Sequence, residues 1–220
     1  MSDNNKTNAK DRLPIGQKLA VGAGGFPIQN GGLIVQYMAQ PIFQIFLGLN
    51  PALFGLAMTI PRIWDAFTDP LMGRISDRSQ SRYGRRRPYV FIGAFLMAIS
   101  FITIWMVPEN MNDMGTFLWL TIGSILFFTA FTIYSVPFNA LVYEQTPDYH
   151  ERTRLMFYLA LFYNIGNLCV NWYVPATNWS GFESPLTGAR WIALGLSLTV
   201  FLGLGILPAI FGKERFYKVA

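Results

Sequence analysis

The sequence predicts an all-α membrane protein of six transmembrane helices, and three observations carry that prediction. Apolar residues make up 52% of the 220 and charged residues only 13%, where a soluble domain carries nearer a quarter. Six runs approach the ~20 residues that a helix needs to cross a hydrocarbon core. Lysine and arginine concentrate on alternate connections, as the positive-inside rule requires.

The runs are 19–47, 53–73, 89–107, 117–142, 155–174 and 190–211. Turn chemistry separates them: Asn50-Pro51, Pro108-Glu-Asn-Met-Asn112, and the segment Pro175 to Gly188. Residues 1–17 are polar and lack the apolar core of a signal peptide, so they read as a cytoplasmic tail preceding a bundle over 18–212. Five of the six tryptophans (Trp105, Trp119, Trp172, Trp179, Trp191) fall near expected membrane boundaries, where an aromatic belt would place them. Fifteen of the 17 basic residues lie on the tail, the loop after the second run, the loop after the fourth and the C-terminal end. The expectation is a multi-pass protein of the cell (inner) membrane with both termini cytoplasmic.

A net charge of +5 invites a nucleic-acid reading, but the aromatics sit in apolar runs and do not interleave with the bases. Nucleic acid is therefore not an expected partner; the lipid bilayer is. One cysteine, Cys169, and one histidine, His150, exclude an internal disulfide and argue against a Cys/His metal site.

Polar residues inside the runs mark where function should lie. Arg62, Asp65 and Asp69 interrupt the second run at i, i+3 and i+7, within roughly 60° of one another around a helix. Each charge at mid-membrane opposes insertion by about 2.5–3.5 kcal/mol. One reading is a self-neutralising pair that aids packing. The other starts from the charge count: one arginine and two aspartates leave −1, which a Na⁺ or a proton would neutralise. Carboxylates with nearby hydroxyls, Thr68 or Thr132, are the hard ligands a small cation prefers. The first run carries Gln29, Gln36, Gln40 and Gln44 as a stripe, with Gly22, Gly24 and Gly25 permitting close approach and Pro27 and Pro41 expected to bend it. The fifth carries Asn164, Asn167 and Asn171. Amide stripes serve interhelical bonding or line a cavity for a polyol, whose hydroxyls need donors and acceptors. In the loop that follows the second run, Gly73 and Gly84 frame Asp77 and Arg78, and Arg85 and Arg86 follow at once, which suggests a turn holding a charge network that latches one conformation. Asp148, Glu151, Arg152 and Arg154 form a second mixed-charge cluster on the same side.

Three segments together, Arg62-Ile-Trp-Asp-Ala-Phe-Thr-Asp-Pro-Leu-Met-Gly73, Asp77-Arg78 through Ser81-Arg-Tyr-Gly-Arg-Arg-Arg-Pro88, and Thr146-Pro-Asp-Tyr-His-Glu-Arg-Thr-Arg-Leu155, resemble the glycoside–pentoside–hexuronide:cation symporters. These are the melibiose-permease-like members of the major facilitator superfamily. The resemblance implies cation-site aspartates at Asp65 and Asp69, with Thr68 and Thr132 beside them, and no cofactor beyond a co-transported Na⁺ or H⁺. It implies a sugar or glycoside as substrate. At the sugar site the pattern departs: Gln29, Ser135, Asn139 and Ala160 stand where such members carry aspartate, aspartate, tryptophan and arginine. The expected substrate cavity is therefore polar and uncharged, lined by Gln29, Gln36, Gln40, Ser135, Asn139, Asn164 and Asn167. The resemblance also implies two inverted three-helix repeats, residues 213–220 as the start of a linker, and a second six-helix half as partner. The chain reads as an N-terminal half or fragment.

Two rival classes stand beside this one. Asp65-x-x-x-Asp69 suits the Mg²⁺–diphosphate site of a membrane prenyltransferase, with Glu144, Asp148 and Glu151 the only second acidic cluster. A non-transporting six-helix scaffold is the other.

Overall fold

Six helical rods, some broken, follow one another through the described residues. The computed structural model describes residues 12–79 and 81–212. The expected tail lies outside this up to residue 11, as does the whole of the expected linker at 213–220. The first rod comprises α1 (Ile15–Ala23), α2 (Gly25–Ala39) and a π-helical segment (Gln40–Phe46). The middle rods are α3 (Pro51–Arg78), α4 (Arg87–Trp105), α5 (Asp113–Tyr143) and α6 (Tyr149–Thr177). The last is α7 (Pro185–Leu196), a second π-helical segment (Ser197–Leu204) and α8 (Leu207–Phe211). No strand occurs among the described residues.

Side-chain caps start four of the rods. Asn50 accepts from the Ala52 N–H, Asn112 from Gly115, Asp148 from Glu151 and Ser184 from Thr187, at 2.9, 2.9, 2.7 and 3.2 Å. Each satisfies an N–H that the first helical turn leaves unpaired. Rod ends are closed by arginine. Arg190 donates to the carbonyls of Trp105 (3.3 Å) and Val107 (2.7 Å) just past α4, and Arg87 donates to Ala209 (2.6 Å) and Ile210 (2.9 Å) in α8.

Three rods are long and apolar enough to cross a membrane by length and composition: α4, α5 and the last, 185–211. The other three differ from the six-span expectation for physical reasons. A break at Gly24 divides the first rod into short helices. The 28-residue α3 carries Arg62, Asp65 and Asp69, and the 29-residue α6 carries three asparagines. Length is present in these two; uniform apolarity is not.

Packing pairs α4 with α5, α3 with the flank of α5, and α1 and α2 with α6. Aromatic rings fill the centre: Phe101 meets Phe127, Phe201 and Trp105 at centroid separations of 5.5, 5.3 and 5.8 Å. Trp105, the last residue of α4, is fully buried against these rings. Trp172, Trp179 and Trp191 are exposed. Close backbone approach seats the first rod, where a Cβ on Gly22 would stand 3.0 Å from Tyr158 Cβ. Between α4 and α5 the fit is tighter: a Cβ on Gly93 would lie 2.6 Å from the Tyr134 backbone nitrogen. Backbone cannot rotate away as a side chain can, so Gly93→Ala should destabilise the bundle by about 1–3 kcal/mol. A lowered midpoint of thermal unfolding in detergent would show it, and an unchanged midpoint would refute the packing described.

The basic segments gather at one end of the bundle. Lys18, the 82–87 loop, the start of α6 and the end of α8 are joined there by side-chain contacts. Among the described residues the six rods share one hydrophobic core.

Candidate functional site

The site begins with a helix that cannot hide its polar face. α3 buries only Ala57, Pro61, Met72 and Ser76. Its contact with α5 orients the face bearing Arg62, Asp65 and Asp69 beside that helix. The Thr132 hydroxyl of α5 donates to Asp69 Oδ1 at 2.7 Å. Arg62 stands 3.7 Å from Asp65 Oδ2. Its guanidinium also donates to the Gly32 carbonyl of the first rod at 3.2 Å and lies 4.4 Å from the centre of the Phe128 ring. Three rods therefore meet around one arginine. Asp65 Oδ1 is buried and has no hydrogen-bond partner.

An unpartnered carboxylate oxygen shut away from solvent is costly unless something positive binds it. Arg62 satisfies Asp65 on one oxygen only, and at a distance longer than a good charge-assisted bond. The face keeps a net charge of −1. Thr68 donates to its own helix at the carbonyls of Trp64 (3.3 Å) and Asp65 (3.4 Å), so its oxygen keeps lone pairs for a cation. Trp64, beside the charges in sequence, fixes α3 to α5 by donating to Thr129 Oγ1 at 2.9 Å.

The amide stripes are only partly brought together. Gln29 donates to Asn167 Oδ1 at 3.4 Å, which joins the first rod to α6. Asn164 and Asn171 turn back to the carbonyls of Ala160 and Asn167 in their own helix. Gln36, Gln40, Asn139 and Asn164 are exposed, while Ser135 is buried. Beside these stripes Asn30 is a fully buried amide, which the sequence pattern missed. It donates to Phe26 O at 3.2 Å and accepts from the Tyr173 hydroxyl at 2.8 Å. Its position one residue after Gln29 was the available signal.

At the basic end, Gly73 is no turn: it lies inside α3, which runs on to Arg78. Asp69, Pro70 and Gly73 all lie within this one helix. Gly84 does form a turn, with φ of 111°. Around it Arg86 contacts Asp77 Oδ1 at 2.7 Å, and Arg85 and Arg86 reach Glu144 Oε1 at 2.5 and 3.1 Å. Arg78 is exposed on α3 and takes no part in these contacts. Glu144 at the end of α5 is the acid that completes the network, and loop spacing alone did not reveal it.

Glu151, expected in a mixed cluster with Asp148, is instead fully buried. Lys18 of α1 contacts its Oε1 at 2.5 Å, the Leu13 N–H donates to it at 2.9 Å, and Arg154 lies 3.3 Å from Oε2. Burial alone would push this carboxyl up. The Lys18 and Leu13 hydrogen bonds, with the charges of Lys18 and Arg154, outweigh it and hold the group below its ordinary 4.5.

Comparison with known proteins assigns the arrangement. The family described as MFS/sugar transport protein matches residues 20–218. The chain belongs to this family. It is 34% identical over 165 residues to the uncharacterized symporter YnaJ of Bacillus subtilis, covering 75% of this chain and 34% of that one. It is 30% identical over 148 residues to the sodium-dependent lysophosphatidylcholine symporter 1 of Gallus gallus, covering 67% and 28%. YagG of Escherichia coli K12, whose name proposes glycoside/cation symport, is 29% identical over 157 residues, covering 71% and 33%. The chain thus spans about a third of the length of these relatives. The family is one of multi-pass membrane transporters and not of enzymes, which displaces the prenyltransferase reading. The acids that reading needed are otherwise engaged, Glu144 by Arg85 and Arg86 and Glu151 by Lys18.

Proposed function

We propose that this chain supplies the cation-coupling half of a symporter, with Asp65, Asp69, Thr68 and Thr132 as ligands to a transported Na⁺ or proton. The observation that carries it is the α3–α5 junction: an Asp69–Thr132 hydrogen bond beside a buried Asp65 oxygen with no partner. Arg62 balances one of the two carboxylates, and the cargo cation balances the other. No resident cofactor is needed for this chemistry. Relatives named as sodium-dependent and as glycoside/cation symporters support the coupling.

The substrate is a sugar or glycoside, held by neutral amides from the first rod and α6 and released into a cavity that a second six-helix half completes. Gln29, Gln36, Gln40, Ser135, Asn139, Asn164 and Asn167 form its wall on this side. The Asp77–Arg86–Glu144–Arg85 network serves as a latch at the end where both termini face the cytoplasm. A lysophospholipid is the second reading, favoured by the named sodium-dependent relatives and by the lack of charged residues at the expected sugar positions.

Uptake into vesicles bearing this chain with a second half tests both. A Na⁺ or proton gradient should drive accumulation of a labelled sugar. Silence toward a sugar panel, with gradient-driven lysophosphatidylcholine uptake, would replace the sugar. Silence toward both would leave only a scaffold.

A further inference from the structure

The face of α3 opposite its carboxylates carries a second pattern that cation coupling does not use. Leu56, Ile60, Ile63, Phe67 and Leu71 are all exposed large apolar residues. Their spacings of four, three, four and four place them on one ridge. Arg74 and Arg78 continue the same ridge, so that all seven fall within an arc of roughly 80° at 3.6 residues per turn. Both arginines are exposed, and neither has an acidic partner among the described residues. Asp77, the nearest acid in sequence, lies off this arc and is engaged by Arg86. The contrast with α6 is instructive. Its outward apolar ridge, Phe157 to Trp172, also follows basic residues, but Arg154 is spent on Glu151 and Arg152 on the Thr146 carbonyl.

We infer that the outward ridge of α3 holds one anionic phospholipid, its phosphate on Arg74 and Arg78 and its acyl chains along the ridge toward Ile60. Charge complementarity selects the occupant, since two unpaired guanidinia at the basic end of an apolar ridge match a phosphate above hydrocarbon. The length agrees as well. Ile60 to Leu71 spans about 16 Å at 1.5 Å per residue, close to one leaflet of a ~30 Å hydrocarbon core. Arginine side chains snorkel from such positions to the headgroup level. A protein neighbour on this face would have to bury both guanidinia or supply acids to them.

The test is lipid retention by the purified 220-residue chain, extracted from bilayers of equal phosphatidylglycerol and phosphatidylcholine with matched acyl chains. Phosphatidylglycerol should be enriched in the retained lipid, and its enrichment should fall as salt is raised. Arg74→Gln should lower enrichment by roughly five-fold, and the double variant Arg74→Gln/Arg78→Gln by about thirty-fold. Arg74→Lys/Arg78→Lys should keep most of it, and Arg12→Gln, an exposed base off the ridge, all of it. The wild-type salt series needs no variant, so the inference stays testable if the double variant misfolds. Equal retention of the two lipids, or enrichment unchanged by Arg74→Gln/Arg78→Gln, would overturn it.

Discussion

Asp65→Asn should abolish gradient-driven uptake while leaving the chain folded. The substitution removes one of the two carboxylates, so that Arg62 alone neutralises the face and no negative charge is left for the cargo, and it leaves a neutral amide of the same shape. Opposite unit charges about 4 Å apart at an effective dielectric near 20 attract by ~4 kcal/mol. Losing that term weakens cation binding by roughly a thousand-fold. Asp69→Asn should be as severe. Thr132→Val, which removes a neutral ligand and a hydrogen bond of 2.7 Å, should cost less, about ten-fold. Uptake against an imposed Na⁺ or proton gradient reads all three, and wild-type accumulation by Asp65→Asn would refute the assignment.

Glu151→Gln should damage stability instead of transport chemistry. Lys18 is nearly as buried as its partner, with side-chain exposures of 9% and 0%. Removing one member strands a buried ammonium, a loss of about 3–5 kcal/mol. The double variant Lys18→Met/Glu151→Leu should recover most of that, because two apolar groups of similar size leave no orphaned charge. Thermal unfolding in detergent distinguishes the two. The pH dependence has a fixed sign. The folded carboxyl is held below 4.5, so its contribution is complete above that pH and is lost as pH falls through the lower folded value. Stability of Glu151→Gln should accordingly be flatter than wild type below pH 4.5. Parallel acid profiles would contradict the pair.

Much of this was legible in the residues. Apolar runs and turn chemistry located every rod, and Asn50-Pro51 marked the start of α3 as its cap. The Arg62–Asp65–Asp69 face was readable because i, i+3 and i+7 spacing fixes a helical face and a buried charge demands a reason, while the family resemblance pointed to Thr132 beside it. What escaped was non-local. Glu144 and Glu151 sit in ordinary helix-end sequence, and only packing brings Arg85, Arg86 and Lys18 to them. Arg190 and Arg87 close the ends of other rods, which no local pattern reveals. The π-helical segments at Gln40–Phe46 and Ser197–Leu204 have no period that a 3.6-residue pattern detects. Gly73 misled for a local reason: a glycine before charges resembles a turn, but the helix continued through it.

The most direct test of the cation site needs no substrate. Equilibrium binding of radiolabelled sodium to the purified chain, across a pH series, should show saturable Na⁺ binding that protons compete away, or proton uptake alone if H⁺ is the cargo. The double variant Asp65→Asn/Asp69→Asn should lose both signals while Arg74→Gln/Arg78→Gln keeps them. Cation binding undiminished in Asp65→Asn/Asp69→Asn would place the coupling site elsewhere and contradict the account.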